Sequence, residues 1–228
     1  MTAELRFSND WFTHSTYGKR QHKIESSRDI FERFLLPLKD KRPSIIEIGV
    51  NEAQSSLWLL ENVNPSVWLG IDPWKAGRKH HVESFKTYEA NCWHNLRASG
   101  ATCLVQEQAP PLSVTEFAFR DTKCAIAKSS SHDFLRGPVD RYFDDYTATA
   151  ILVDGDHSSQ GCLTDLVLGW RKLKPGGLIL IDDFDRRWHQ GRAHVHEGVL
   201  AFWMAFEHLC EKVFESRKHV VFRRKLDG

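Results

Sequence analysis

No apolar run in the chain approaches the ~20 residues that cross a bilayer, so no membrane-spanning helix is expected. No signal-peptide pattern opens the sequence as given, and the expected compartment is the cytoplasm. Charge of one sign is also missing: 31 Lys+Arg stand against 30 Asp+Glu, leaving no global field to attract nucleic acid or an anionic membrane. Five cysteines (Cys92, Cys103, Cys124, Cys162, Cys210) are odd in number and show no Cys-x-x-Cys spacing. That pattern argues against a disulfide frame or a zinc site and reads as reduced thiols. A full Gly-x-Gly-x-x-Gly is absent, which counts against NAD and FAD. There is no internal repeat or low-complexity linker, and 228 residues with 41% hydrophobic content suffice for one domain with a sizeable core.

The most informative stretch that is present is Thr147–Asp185. The short apolar run Ala150–Val153 stops at Asp154-Gly155-Asp156-His157. Leu163, Leu166, Val167 and Trp170 then recur at helical spacing, with Arg171, Lys172 and Lys174 placed where a helix dipole favours cations. Pro175-Gly176-Gly177 is expected to end that helix, and Leu178–Ile181 reads as a strand buried on both faces. It too ends in carboxylates, Asp182, Asp183 and Asp185. Two parallel strands with a helical crossover gather these acids at one sheet edge, where open α/β sheets bind ligands. Oxygen ligands so gathered suit a hard cation such as Mg²⁺.

Residues 1–43 read as an irregular arm with a helix at Ser27–Leu36, a lid over the site, and residues 44–228 as the main domain. Ser44–Val50 is the first buried strand and runs into Asn51-Glu52-Ala53-Gln54-Ser55-Ser56, which opens a helix to about Asn62. The N-terminal turn of that helix, with Asn51 and Ser55, suits an anionic group. Val67–Asp72 is the next strand, ending in an acid. Strand, glycine turn, helix, strand, acid is the generic nucleotide-cofactor half-fold. A helix is expected over Val82–Ala98 behind the basic stretch Lys75–His81, and a strand at Cys124–Lys128. Ala101–Asp121 fits either a strand plus a loop or an insertion shaping a substrate pocket. A helix at His196–Leu209 and a hairpin of Lys212–Glu215 with Val220–Arg224 close the chain. The fold class is α/β: one Rossmann-like, doubly wound, mostly parallel sheet with a C-terminal antiparallel hairpin.

Glu47-Ile48-Gly49, Asp72, Asp154-Gly155-Asp156-His157-Ser158 and Lys174-Pro175-Gly176-Gly177 followed by Asp182-Asp183 resemble class I S-adenosylmethionine-dependent methyltransferases. More narrowly they resemble the metal-dependent O-methyltransferase branch of catechol, caffeoyl-coenzyme A and macrolide-sugar enzymes. The resemblance covers about Ser44 to Asp185. It implies that Glu47 and Gly49 lie against the methionine part of S-adenosylmethionine, that Asp72 takes the ribose hydroxyls, and that Ser131 and His132 flank the adenine. Asn51, Ser55 and Asp154 are further candidate cofactor contacts. It implies a divalent cation, Mg²⁺, on Asp156, Asp182 and Asp183. Two departures stand out: Ala53 replaces a second glycine, and Ser159 occupies the position, three beyond the first metal Asp, where relatives place a Lys or His base.

The chemistry expected is in-line methyl transfer to a small-molecule hydroxyl, a diol, catechol or sugar. Alignment supplies on the order of 7–11 kcal/mol of the barrier at best, and a metal-bound acceptor oxygen needs no strong base. His157 beside Asp156 is the candidate proton acceptor, with His189 behind it. The Asn/Asp-Pro-Pro-Tyr motif of base-flipping enzymes is absent, so nucleic acid is not the expected partner. Two alternatives stay open at this point: a metal-independent small-molecule methyltransferase, and a cofactor-binding protein that has lost turnover. A homo-oligomer is compatible with the sequence, which fixes neither oligomeric state nor acceptor.

Overall fold

The structure, a computed structural model, describes residues 4–10, 12–13, 16–17, 23–75, 82–109, 112–184, 187–188 and 192–226. The basic stretch 76–81 and His189 fall outside them. Nine strands form one sheet: β1 Ser44–Ile48, β2 Val67–Ile71, β3 Thr102–Ala109, β4 Leu112–Phe119, β5 Thr122–Lys128, β6 Ala148–Val153, β7 Leu173–Ile181, β8 Cys210–Glu215 and β9 Val220–Arg224. Their spatial order is β8-β9-β7-β6-β1-β2-β5-β4-β3. The middle five strands are mutually parallel; β9 and β8 at one end and β4 and β3 at the other add antiparallel hairpins.

The continuous apolar runs belong in the middle of this sheet because both faces are covered. On one face β1 and β6 pack with α1 Ser27–Phe34, α2 Gln54–Trp58 (continued by one π turn, Leu59–Val63) and α3 Val82–Ala98. On the other lie α4 Ser131–Leu135, α5 Ser159–Lys172 and α6 His194–Phe206. Helix α1 starts at a capping box: Ser26 Oγ accepts from Asp29 N at 3.2 Å while the Asp29 carboxylate accepts from Ser26 N at 2.8 Å. This fixes the entry of the N-terminal segment beside the sheet edge.

The structure differs from the sequence expectation in two places. Ala101–Asp121 is not a strand plus a loop but carries the β3–β4 hairpin, which extends the sheet by antiparallel pairing with β5. The α5 helix ends at Lys172, before the proline, and Lys174–Gly177 form a bulge early in β7: Ala148 pairs with Leu173, yet Ala150 pairs with Leu178. Gly176 accommodates the bulge at φ +75°. Lys172 therefore does not decorate an exposed helix end. It is buried, with its ammonium 2.5 Å from Asp140 and 2.7 Å from Asp145.

All five parallel strands end at one edge. Read across the sheet, the residues following them are Asp182, Asp154, Gly49, Asp72 and Ser129, so the topology itself assembles the polar groups.

Candidate functional site

An open cleft sits at this edge. Its floor is formed by Glu47, Gly49, Val153, Asp154, Ile181 and Asp182, and Asn9, Phe12, Ser27 and Phe31 of the N-terminal segment wall it.

The turn after β1 is shaped by close approach. Gly49 has φ +94°, and a Cβ there would lie 2.0 Å from the carbonyl oxygen of Asp154. Asn51 and Ala53 also adopt left-handed backbone, at φ 49° and 64°. Ala53 thus takes the conformation that a glycine adopts freely, at a strain of about 1–2 kcal/mol, with its methyl buried in the core.

Glu47 is buried and accepts hydrogen bonds from Ser55 Oγ, from Ser56 Oγ at 2.8 Å and from Trp68 Nε1 at 2.9 Å. Burial outweighs these donors and pushes the carboxyl up to about 7. The folded state then holds the proton across pH 4.5 to 7 while the unfolded chain releases it, so this group's contribution to stability falls as pH rises through that window. Glu47→Gln is expected to remove the decline, gaining on the order of 3 kcal/mol relative to wild type between the two ends of the window. Urea denaturation at both pH values reads this; an unchanged pH slope in the variant contradicts it.

Asp72 accepts from Asn51 N at 2.9 Å and Trp74 N at 2.7 Å, and burial raises its pKa. It braces the Gly49 loop from behind and is not among the residues lining the cleft. Ser131 and His132 also lie off its lining. Ser131 donates to Asp165 Oδ1 at 2.5 Å, and His132 stands beside Asp133 on the first turn of α4. Of the expected cofactor contacts, Glu47, Gly49, Asn51, Ser55 and Asp154 border the cleft.

The acids separate into distinct settings. The Asp154 backbone N–H donates to Ile48 O at 2.9 Å, which carries the strand pairing one residue further and turns the side chain to the cleft. That side chain is half accessible to water through the cleft, but the protein packed around it, with Asp182 and Asp183 nearby, pushes its carboxyl up to about 6. Asp154, His157 and Asp183 bring ligand atoms within 4.8 Å of one another; His157 Nε2 lies 3.2 Å from Asp154 Oδ1 and 3.5 Å from Asp183 Oδ2. Asp156 turns the other way: its Oδ1 accepts from Ser158 N at 2.9 Å, and its carboxyl carbon lies 2.3 Å from where a Cβ on Gly161 would stand. It serves the first turn of α5. Of the three carboxylates expected on a cation, the structure therefore places only Asp183 in this group.

Asp182 accepts from Ser27 Oγ at 2.6 Å and lies 3.3 Å from His219 Nε2 and 3.4 Å from Lys218 Nζ. Burial alone would raise its pKa; His219, Lys218 and Ser27 outweigh burial and hold the carboxyl well below the ordinary range. Sequence reasoning missed Ser27, Lys218 and His219 at the site. The signal lay in the hairpin: a strand starting at Val220 and paired with Ile181 necessarily sets residues 218 and 219 beside Asp182.

The N-terminal segment is clasped by the loop after β1. Glu52 accepts from Ser8 N and Ser8 Oγ at 2.8 and 2.7 Å, and Gln54 bridges Asn9 O and Phe12 N. Of residues 1–43, Asn9, Phe12, Ser27, Ile30 and Phe31 border the cleft.

Residues 46–184 match the family described as a methyltransferase domain. No curated protein matches the sequence. Among solved structures, the chain is similar to MycE methyltransferase of the mycinamycin biosynthetic pathway in complex with Mg, SAH and mycinamycin VI: 15% identity, TM-score 0.55, covering 90% of this chain and 51% of that one. The chain thus spans about half the length of MycE. It is similar to a Corynebacterium glutamicum protein (12% identity, TM-score 0.55, 88% and 82% covered) and to a Clostridium thermocellum protein assigned provisionally to the rRNA methylases (12%, 0.57, 89% and 97%). These likenesses show the fold. With more than half of its length matched and the Rossmann-like sheet in place, the chain belongs to the methyltransferase-domain family and is an S-adenosylmethionine-dependent methyltransferase.

Proposed function

We propose that the protein methylates a hydroxyl group of a small molecule, with a divalent cation carried by Asp154 and Asp183. The observation that carries this reading is the meeting of two carboxylates and an imidazole beside the strand ends, with Asp154 of the three lining the cleft. Two carboxylates plus water and substrate oxygens are the usual surroundings of Mg²⁺. The Mg-bound MycE complex supports the same choice of ion. When bound, the cation would lower the pKa of the acceptor hydroxyl.

The remaining work belongs to the chain. His157 stands three residues beyond Asp154, which is the spacing at which the metal-dependent branch keeps its base when Asp154, not Asp156, is the first metal Asp. Its Nε2 faces the Asp154 carboxylate, which orients the ring, so the proton the imidazole takes from the acceptor goes to Nδ1. Gly49 lets the backbone close on the methionine end of S-adenosylmethionine, with Glu47 and Ser55 beneath it. Phe12, Ile30 and Phe31 form an apolar wall that excludes water and favours an acceptor with an apolar body. The balance of 31 basic and 30 acidic residues supports a small acceptor over RNA.

Catechols, vicinal diols and sugars, screened for Mg²⁺-dependent formation of S-adenosylhomocysteine, test the reading. Turnover lost on chelation and restored by Mg²⁺ is expected; turnover indifferent to chelation contradicts the metal's part.

A further inference from the structure

The carboxylate pair after β7 divides its labour. Asp182 Oδ1 accepts from Asp183 N at 2.6 Å and also faces His219 Nε2 and Lys218 Nζ, while Oδ2 accepts from Ser27 Oγ at 2.6 Å. Ser27 Oγ in turn lies 3.0 Å from Lys218 Nζ and 3.3 Å from His219 Nε2. Four groups from three separate parts of the chain thus close on one carboxylate: the start of α1, the end of β7 and the β8–β9 turn. The turn is itself fixed, since Lys218 O accepts from Phe184 N at 2.8 Å and Ser216 Oγ accepts from Lys218 N and His219 N. His219 is buried and Lys218 three-quarters so, which marks them as built into the protein interior.

We propose that Lys218 and His219 are positioning residues that keep Asp182 out of the cation's coordination shell and use it to tie α1 to the sheet edge, leaving Asp154 and Asp183 as the carboxylate ligands. This inference rests on the metal reading above. Its physical ground is charge and occupancy. A carboxylate has about four acceptor positions, and one oxygen of Asp182 is already crowded by three donors. A divalent ion on Asp182 would also sit within a few ångströms of the Lys218 ammonium, and the repulsion between like charges is strong where water is excluded. The ligand oxygen of Asp183 is grouped with those of Asp154 and His157. The tie also explains why Ser27, on an element that walls the cleft, reaches across 155 positions of sequence to Asp182.

Mn²⁺ binding to the purified full chain, read from loss of the free-ion paramagnetic resonance signal, tests this without any turnover. Asp183→Asn is expected to weaken Mn²⁺ binding at least tenfold, and Asp182→Asn by less than threefold. Lys218→Met, which releases Asp182 and removes the repelling charge, is expected to tighten binding at least threefold. A merely structural lysine would not do so. Asp182→Asn as damaging as Asp183→Asn overturns the inference alone, whereas a wild-type protein that takes up no Mn²⁺ contradicts the metal reading on which it rests. Hydrogen exchange over residues 27–34 of the metal-free proteins tests the tie separately. Faster exchange in Asp182→Asn and Lys218→Met than in Asp183→Asn is expected, and equal rates overturn the tie.

Discussion

Gly49→Ala is expected to abolish S-adenosylmethionine binding and to destabilise the fold by roughly 2–5 kcal/mol, the sum of a positive-φ strain of about 1–2 and an overpacking cost of about 1–3. The added methyl would stand 2.0 Å from Asp154 O and 2.6 Å from its carbonyl carbon, both backbone atoms that no rotamer change can move. Relief requires the β1 and β6 ends to part, and those ends carry the cofactor loop and Asp154. The neighbouring Ala53 shows that left-handed backbone alone is tolerated in this loop, so the contact, more than φ, sets the cost. Thermal denaturation and calorimetric titration of the variant check both halves. A variant that binds cofactor as wild type does contradicts the placement of the cofactor against this turn.

His157→Ala is expected to lower kcat by about 10²–10⁴-fold, the range for loss of a positioned proton acceptor, with cofactor affinity little changed. The ring sits between Asp154 and Asp183 and is only partly exposed, and neither of these contacts involves the Gly49 turn, so its removal is expected to spare the turn. Steady-state kinetics on an acceptor from the screen measure this, and the pH profile adds a readout that lost packing would not move: the acidic limb of kcat, where protonation of the base removes activity, should disappear. A loss below tenfold with an unchanged profile assigns His157 to structure.

Much of the fold was legible because it rests on local signals. The apolar runs of β1, β2, β6 and β7 needed no tertiary information, and α3 falls at the expected Val82–Ala98. The β3–β4 hairpin was illegible because Thr102–Ala109 and Leu112–Phe119 are joined across Pro110-Pro111, a pair that reads as a break and here separates two pairing strands. The site was legible as a region but not in its assignments. Asp154 and Asp156 are two residues apart in one acidic run, and only the hydrogen bonds of the turn decide which faces the cleft: Asp154 extends the strand pairing, whereas Asp156 is drawn to Ser158. Lys218 and His219 escaped notice because their role depends on the register of β9 against β7, a long-range pairing that no local pattern encodes. Ser27 reads from the sequence only as the start of a helix, and its bond to Asp182 spans 155 positions that no local pattern links.

The most direct measurement is calorimetric titration of S-adenosylmethionine into the purified protein, with and without Mg²⁺, on wild type, Asp154→Ala and Asp156→Ala. Expected is cofactor binding by wild type and a Mg²⁺ response that vanishes in Asp154→Ala but survives in Asp156→Ala, whose carboxylate serves α5. A Mg²⁺ response lost in Asp156→Ala and kept in Asp154→Ala contradicts the assignment of the site, and a wild-type protein that binds no S-adenosylmethionine contradicts its function.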